Sequence, residues 1–349
     1  MSEKTIRRAA KPPLLALSAL ALALAFPRLA DAAIDGRWIL EFEPGGDEVQ
    51  LTTKRTSTHG RHENSCSYPT SAFRGLARPA SATPAPARFE LARDAGTVTF
   101  EGQLDSSGGA GRFSFSPQPD FAREMGKLGY ASLSEENLYS MALHDIGRTF
   151  INGLAEAGYS RLSFDDLVAM RIHGATPEFI RELATLGYQR LSPDDLVAMR
   201  IHGATPKFIR QLRSLGYERL SSDDLVAMRI HGATPEFIGE MRAAGYEKLS
   251  PDDAVAMRIH GVTPEFVRAL RGMGYSTPSA DDVVSMRIHG VTAEFVQQIR
   301  DLGFRDASVD DLVSMRIHGV TTDFARKVKA REPAVTVDEL VSMRIHGRD

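Results

Sequence analysis

The chain has 349 residues, of which 42% are apolar and 25% charged, and a formal net charge of −3. That length holds two ordinary domains, the composition fits a folded rather than a disordered protein, and without a basic footprint nucleic acid is not an expected partner. Cys66 is the single cysteine, so no internal disulfide is possible and the fold rests on its core alone.

Residues 1–32 read as a signal peptide. Lys4, Arg7, Arg8 and Lys11 form a positive n-region, Leu14 to Phe26 an apolar h-region, and Ala30-Asp31-Ala32 a small-residue cleavage pattern. The apolar run falls short of the ~18 residues a membrane span needs. The expectation is therefore cleavage before Ala33 and no membrane insertion afterwards, placing the protein in the periplasm or outside the cell. Arg7-Arg8 leaves a twin-arginine signal open.

Residues 33–117 carry strand signals. "GRWILEFEP" alternates Trp38, Leu40 and Phe42; "ARFELAR" alternates Phe89 and Leu91; "GTVTFEG" alternates Val98 and Phe100; "GRFSFSP" alternates Phe113 and Phe115. A period of two puts each set on one face of a half-buried sheet. A small antiparallel sandwich or open barrel is expected, with residues 77–88, rich in alanine and proline, as a mobile loop. His59 and His62 near Cys66 invite a Cys/His nucleophile, but no orienting partner is defined, and Cys66 reads as a loop thiol.

From residue 118 a fixed period takes over, the mark of stacked repeats. "MRIHG" occurs seven times, starting at Met170, Met199, Met228, Met257, Met286, Met315 and Met343, 29 residues apart except for the last interval of 28. In the unit Leu191–Tyr217, Ser192 caps a first helix with Pro193 at its first position and Asp195 in the capping box. Gly203 ends that helix, Thr205 caps a second with Pro206 at its first position, and Gly216 ends the second. Two helices of about ten residues, too short to stand alone, must bury their apolar faces by stacking. Phe121, Phe150, Phe179, Phe208, Phe237, Phe266, Phe295 and Phe324 open the second-type helices, and His144 precedes the seven repeat histidines. The fold class is thus α+β, a β module followed by an α-solenoid of about eight helix pairs over residues 118–349. The unit at Leu133–Asp145 is degenerate, with Ala142 where the arginine belongs.

Exposed positions of the second helix have drifted between copies (Arg181, Arg210, Gly239, Arg268, Gln297), whereas MRIHG has not. Helical spacing puts Arg171 inside the apolar arc with Val168 and Ile172. Arg171, Arg200, Arg229, Arg258, Arg287, Arg316 and Arg344 are therefore expected to bridge stacked repeats, bonding helix-end carbonyls or a neighbour's aspartate. His173, His202, His231, His260, His289, His318 and His346 fall on the polar side, where a C-terminal histidine suits the helix dipole. A metal ladder is disfavoured because repeats stack ~8–10 Å apart, while two imidazoles on one zinc each lie ~2 Å from it. A pH-responsive histidine row stays open. At the C-terminal end Leu340, Val341, Met343 and Ile345 lack a following second helix. They are expected to be more exposed than Leu225, Val226, Met228 and Ile230, as a docking end.

No HExxH, GxSxG, P-loop or dinucleotide fingerprint occurs, so no enzyme, cofactor or metal is expected. "ARDAGTVTFEG", "GAGRFSFSPQPDF" and the repeats resemble a bacterial group that joins such a β module to 29-residue "LVxMRIHGxTPEFIRxLxxLGY" units. Similar regions are appended to membrane metallopeptidases of the beta-lactam-sensor type, on the outer side. The resemblance covers Phe89 to Asp349, but the transmembrane helices and zinc motif of that peptidase are missing here, so it implies no proteolysis. The reading is an exported, non-catalytic interaction protein whose repeats bind a protein or peptide. The alternative is a ligand-, metal- or pH-responsive sensor in cell-envelope signalling.

Overall fold

The computed structural model describes residues 34–57, 60–130 and 133–347. The signal reading of residues 1–32, the start at Ala33, and His59 all lie outside the described residues.

Six antiparallel strands form one sheet: β1 (Ile34–Phe42), β2 (Glu48–Ser57), β3 (Gly60–Pro69), β4 (Ala85–Arg93), β5 (Gly96–Leu104) and β6 (Gly108–Pro117), in the order β3-β2-β1-β6-β5-β4. The alternating sets Trp38/Leu40/Phe42, Phe89/Leu91, Val98/Phe100 and Phe113/Phe115 are buried together on one face. Trp38 sits opposite Gly111, which is itself opposite Gly102. A Cβ at Gly102 would lie 2.8 Å from the indole, so the missing side chains let the ring lie across the neighbouring strands. Its Nε1 donates to the Arg112 carbonyl at 3.0 Å.

Of the two expected forms, sandwich or open barrel, this single sheet corrects the sandwich. Among the described residues no second sheet covers the apolar face. Phe73, on the connection from β3 to β4, packs edge-on against Phe89 and Phe100, and a helix described below covers the remainder. The expected loop at 77–88 also changes. Its last four residues belong to β4, where Pro86 occupies an edge strand that tolerates a missing N–H. Arg78 Nε bonds the Ser106 carbonyl at 2.7 Å.

Sixteen helices follow among the described residues, in two alternating types. The first type comprises α2 (Glu135–Leu143), α4 (Phe164–Ile172), α6 (Pro193–His202), α8 (Ser222–His231), α10 (Pro251–Ile259), α12 (Ala280–Ile288), α14 (Val309–Ile317) and α16 (Val337–Ile345). The second comprises α1 (Pro119–Lys127), α3 (Arg148–Glu156), α5 (Pro177–Thr185), α7 (Pro206–Ser214), α9 (Pro235–Ala244), α11 (Pro264–Gly272), α13 (Ala293–Asp301) and α15 (Thr322–Arg331). First-type helices pack one on the next from α2 to α16, and second-type helices from α3 to α15. Local chemistry sets the boundaries. In α6, Ser192 accepts from the Asp195 N–H, Asp195 returns the bond to Ser192, Pro193 opens the helix and Gly203 leaves it at φ 73°. Thr205 caps α7 in the same manner.

The helix α2 joins the two halves. It packs against β1, β4, β5 and β6 on one side and α4 on the other, and Leu138, Tyr139, Met141, Ala142 and Leu143 are all buried. Tyr139 stacks on Phe113 at 5.5 Å, Tyr68 Oη donates to the Leu143 carbonyl at 3.0 Å, and Arg55 pairs with Glu136. Ala142 is wholly buried here, so the arginine of other units would bring a charge into the seam. The degenerate unit is the joint, and the buried cluster runs without a break from the sheet into the helices.

Candidate interaction face

Each letter of MRIHG has a distinct place. The methionine is core: Met170, Met199, Met228, Met257, Met286 and Met315 are fully buried. The arginine does not enter the apolar arc, which is a correction. The core side of α4 centres on Leu167 and Met170, and Arg171 lies at its rim with its side chain 30% exposed. From there each guanidinium reaches the preceding unit and lies over the phenylalanine of that unit's second helix. Arg171 covers Phe150, Arg200 Phe179, Arg229 Phe208, Arg258 Phe237, Arg287 Phe266, Arg316 Phe295 and Arg344 Phe324, at 4.9–5.2 Å from ring centre. Five of them also donate from Nε to a carbonyl ending the preceding first-type helix. Arg171 and Arg229 reach His144 and His202 at 2.9 and 3.2 Å, and Arg200 reaches His173 at 3.4 Å. Arg287 and Arg344 reach Gly261 and Gly319, both at 3.1 Å. Arg171 also pairs with an aspartate, Asp145, at 2.8 Å.

The glycine completes this interlock. Gly203 adopts a left-handed φ of 73°, and a Cβ there would meet Arg229 Nη2 at 3.0 Å. It therefore turns the chain and leaves room for the next arginine. Two further rows tie units together. Tyr159, Tyr188, Tyr217 and Tyr275 donate to the carbonyls of Leu191, Leu220, Leu249 and Ala307, 32 residues ahead, at 2.7–2.9 Å. In the second-type row Arg213, Arg242 and Arg271 bond the carbonyls of Leu186, Leu215 and Ala244. The regular Tyr-to-carbonyl spacing was in the sequence and could have identified the first of these rows.

Isoleucine and histidine have no such work. Ile172, Ile201, Ile230, Ile259, Ile288, Ile317 and Ile345 are 53–55% exposed, which overturns their expected place in the apolar arc. The rings from His173 to His318 are exposed and make no hydrogen bond or ion pair among the described residues. His346 alone bonds back, to the Ser342 carbonyl at 2.7 Å. The first aspartate of each unit (Asp165, Asp194, Asp223, Asp252, Asp281, Asp310, Asp338) is likewise exposed and unpaired among the described residues. It stands seven residues before the isoleucine, hence on the same helix face about 10 Å away along the axis. The second carboxylate caps its helix in α6, α8, α10, α12, α14 and α16. Aspartate, isoleucine and histidine thus line one outward arc of the first-type row.

The C-terminal end differs from expectation. Leu340 is as buried as Leu225, Val341 half-buried like Val226, and Ile345 exposed like Ile230; only Met343 loses the cover that Met228 has. An open end is thus reduced to one side chain.

Cys66 is not in a loop. It lies on β3 opposite Leu51, half-buried, with Sγ donating to Asn64 Oδ1 at 3.1 Å. Burial pushes its pKa up, the reverse of an activated thiolate. His62, four residues away along an extended strand, is about 13 Å distant by rise alone. His144 contacts this strand at Asn64, its Nε2 3.3 Å from Asn64 Nδ2. Burial, and then Arg171, hold its pKa below the ordinary range.

Among the described residues no three His, Cys, Asp or Glu side chains converge as metal ligands. No described helix is long and apolar enough to cross a membrane. An open cleft of about 750 Å³ lies across β3, β2, β1 and β6, lined by Arg37, Lys54, Arg61, Arg112, Asp35 and Glu63 among others. Set against known proteins, the chain matches no family model and no curated protein.

Proposed function

We propose that this is an exported, non-catalytic interaction protein whose helix pairs form a solenoid of eight units, its first-type row binding a protein or peptide. One observation carries the reading. Across seven copies the exposed aspartate, isoleucine and histidine of the first-type helix are unchanged, while exposed positions of the second-type helix have drifted. The arginine and glycine are held by the interlock between units. The isoleucine is left half-exposed in every copy among the described residues, and a row of half-exposed isoleucines costs solubility unless something covers it. Solenoids present such long surfaces because each unit adds a small rotation to the last. Export is supported by the n-region, h-region and cleavage pattern of residues 1–32.

Placing a photo-crosslinking side chain at Ile230 on α8, and separately at Glu240 on α9, tests this in envelope material. Adducts from position 230 and none from 240 are expected. Equal adducts from both, or none from 230, would remove the reading.

A further inference from the structure

We propose that the occupant of this face is an extended polypeptide that runs along the stack and presents a basic side chain at every third residue. The inference rests on the interaction reading above and gives the partner a chemistry.

Spacing supplies the first argument. Successive first-type helices pack directly on one another, and packed helices lie about 8–10 Å apart, so equivalent points on neighbouring units are expected to recur at about that interval. A polyproline-type strand has three residues per turn and rises 3.1 Å per residue, so the same side returns about every 9.3 Å. Every third side chain of such a partner meets an equivalent point on each unit. A β-strand repeats its side at ~6.6 Å and falls out of step within two units.

Charge supplies the second. Asp165, Asp194, Asp223, Asp252, Asp281 and Asp310, with Asp338, form a row of exposed carboxylates without ion pairs among the described residues. The arginines on the same helices, Arg200, Arg229 and Arg258, lie over phenylalanine rings of the preceding unit, and none of them forms an ion pair with these aspartates among the described residues. A partner's lysines or arginines would meet the aspartate row, and its apolar side chains the isoleucine row about two helical turns away. Individually such contacts are weak, but on one chain they act together through effective concentration. A second copy of this chain would bring the same carboxylate row with it, which favours a basic partner over self-association.

The test uses the full chain and three synthetic peptides in fluorescence anisotropy. One consists of about seven Pro-Leu-Lys triplets, the second has the same composition with irregularly spaced lysines, and the third carries glutamate in place of lysine. The regular peptide should bind at least tenfold more tightly than the irregular one, and the glutamate peptide should show no binding. Asp223→Asn/Asp252→Asn/Asp281→Asn should weaken the regular peptide at least fivefold with the melting temperature retained, since Asp224, Asp253 and Asp282 carry the caps. Equal affinity of regular and irregular peptides overturns the spacing argument, and binding of the glutamate peptide overturns the charge argument. If Ile230→Ser instead converts a dimer to a monomer in sedimentation, a second copy covers the face and this partner chemistry is wrong. These failures leave adducts at position 230 untouched. Absence of those adducts removes the interaction reading itself.

Discussion

Arg229 and Arg210 carry the same charge and are both exposed, yet only Arg229 has contacts that cross to the preceding unit, over Phe208 and to the His202 carbonyl. Arg229→Ala should lower stability by about 1–2 kcal/mol, from a cation–π contact and one hydrogen bond. Arg210→Ala should stay within about 0.5 kcal/mol. Equal melting temperatures for the two would remove the interlock as a source of stability. The tyrosine row offers a sharper pair. Tyr217→Phe loses a bond to the Leu249 carbonyl at 2.8 Å and should cost about 1 kcal/mol. The residue 32 places after Tyr246 is Pro278, and the Tyr246 hydroxyl is buried with no hydrogen-bond partner among the described residues; burial pushes its pKa to about 12. Tyr246→Phe should therefore be neutral or stabilising, and denaturant titration of both variants decides it. At His144 the sign is set by burial. A base held below its ordinary value in the folded state leaves the unfolded chain binding more protons, so stability falls as pH drops through about 6.5. His144→Gln should flatten that acid limb in melting temperature against pH. An unchanged limb would place it on other groups.

At the scale of elements, α2 shows how position overrides the repeat. Restoring the repeat residue with Ala142→Arg should destabilise by more than about 3 kcal/mol, because the charge would be buried between sheet and helix without a partner. Thermal melts that match the parent would show the seam to be open. The caps, glycines and boundaries of the helices were legible in the sequence because each depends on a few residues close together in the chain, such as Ser192 with Asp195. The strands β2 and β3 were not. Their inward face is carried by buried Val49, Leu51, Thr53 and Tyr68 and half-buried Asn64 and Cys66, and such small and polar residues blur the period of two. The outward isoleucine was misread for a related reason. Leu167, Val168, Met170 and Ile172 surround most of the α4 circumference, so spacing alone does not tell the side packed on neighbours from the side left to solvent. The arginine's bridging partners were anticipated in kind, but the phenylalanine was not, since nothing local joins Arg229 to Phe208.

Across the whole molecule, α2 binds the sheet to the first units, whereas units further along touch only their neighbours. Stability in such an array is close to a sum of unit and interface contributions, so distant units can open while the sheet stays closed. Trp38 makes this visible. It is the chain's one tryptophan and lies buried in the sheet, so its emission follows the β half and its joint, while far-ultraviolet ellipticity is dominated by the helices. On heating, ellipticity should begin to fall at a lower temperature than the emission maximum shifts, because the units remote from the sheet loosen first. Coincident curves from the two signals would mean instead that sheet and helices melt as one cooperative body. The indole lying across Gly102 and Gly111 is thus a native optical label for one half of the chain, and it needs no added dye.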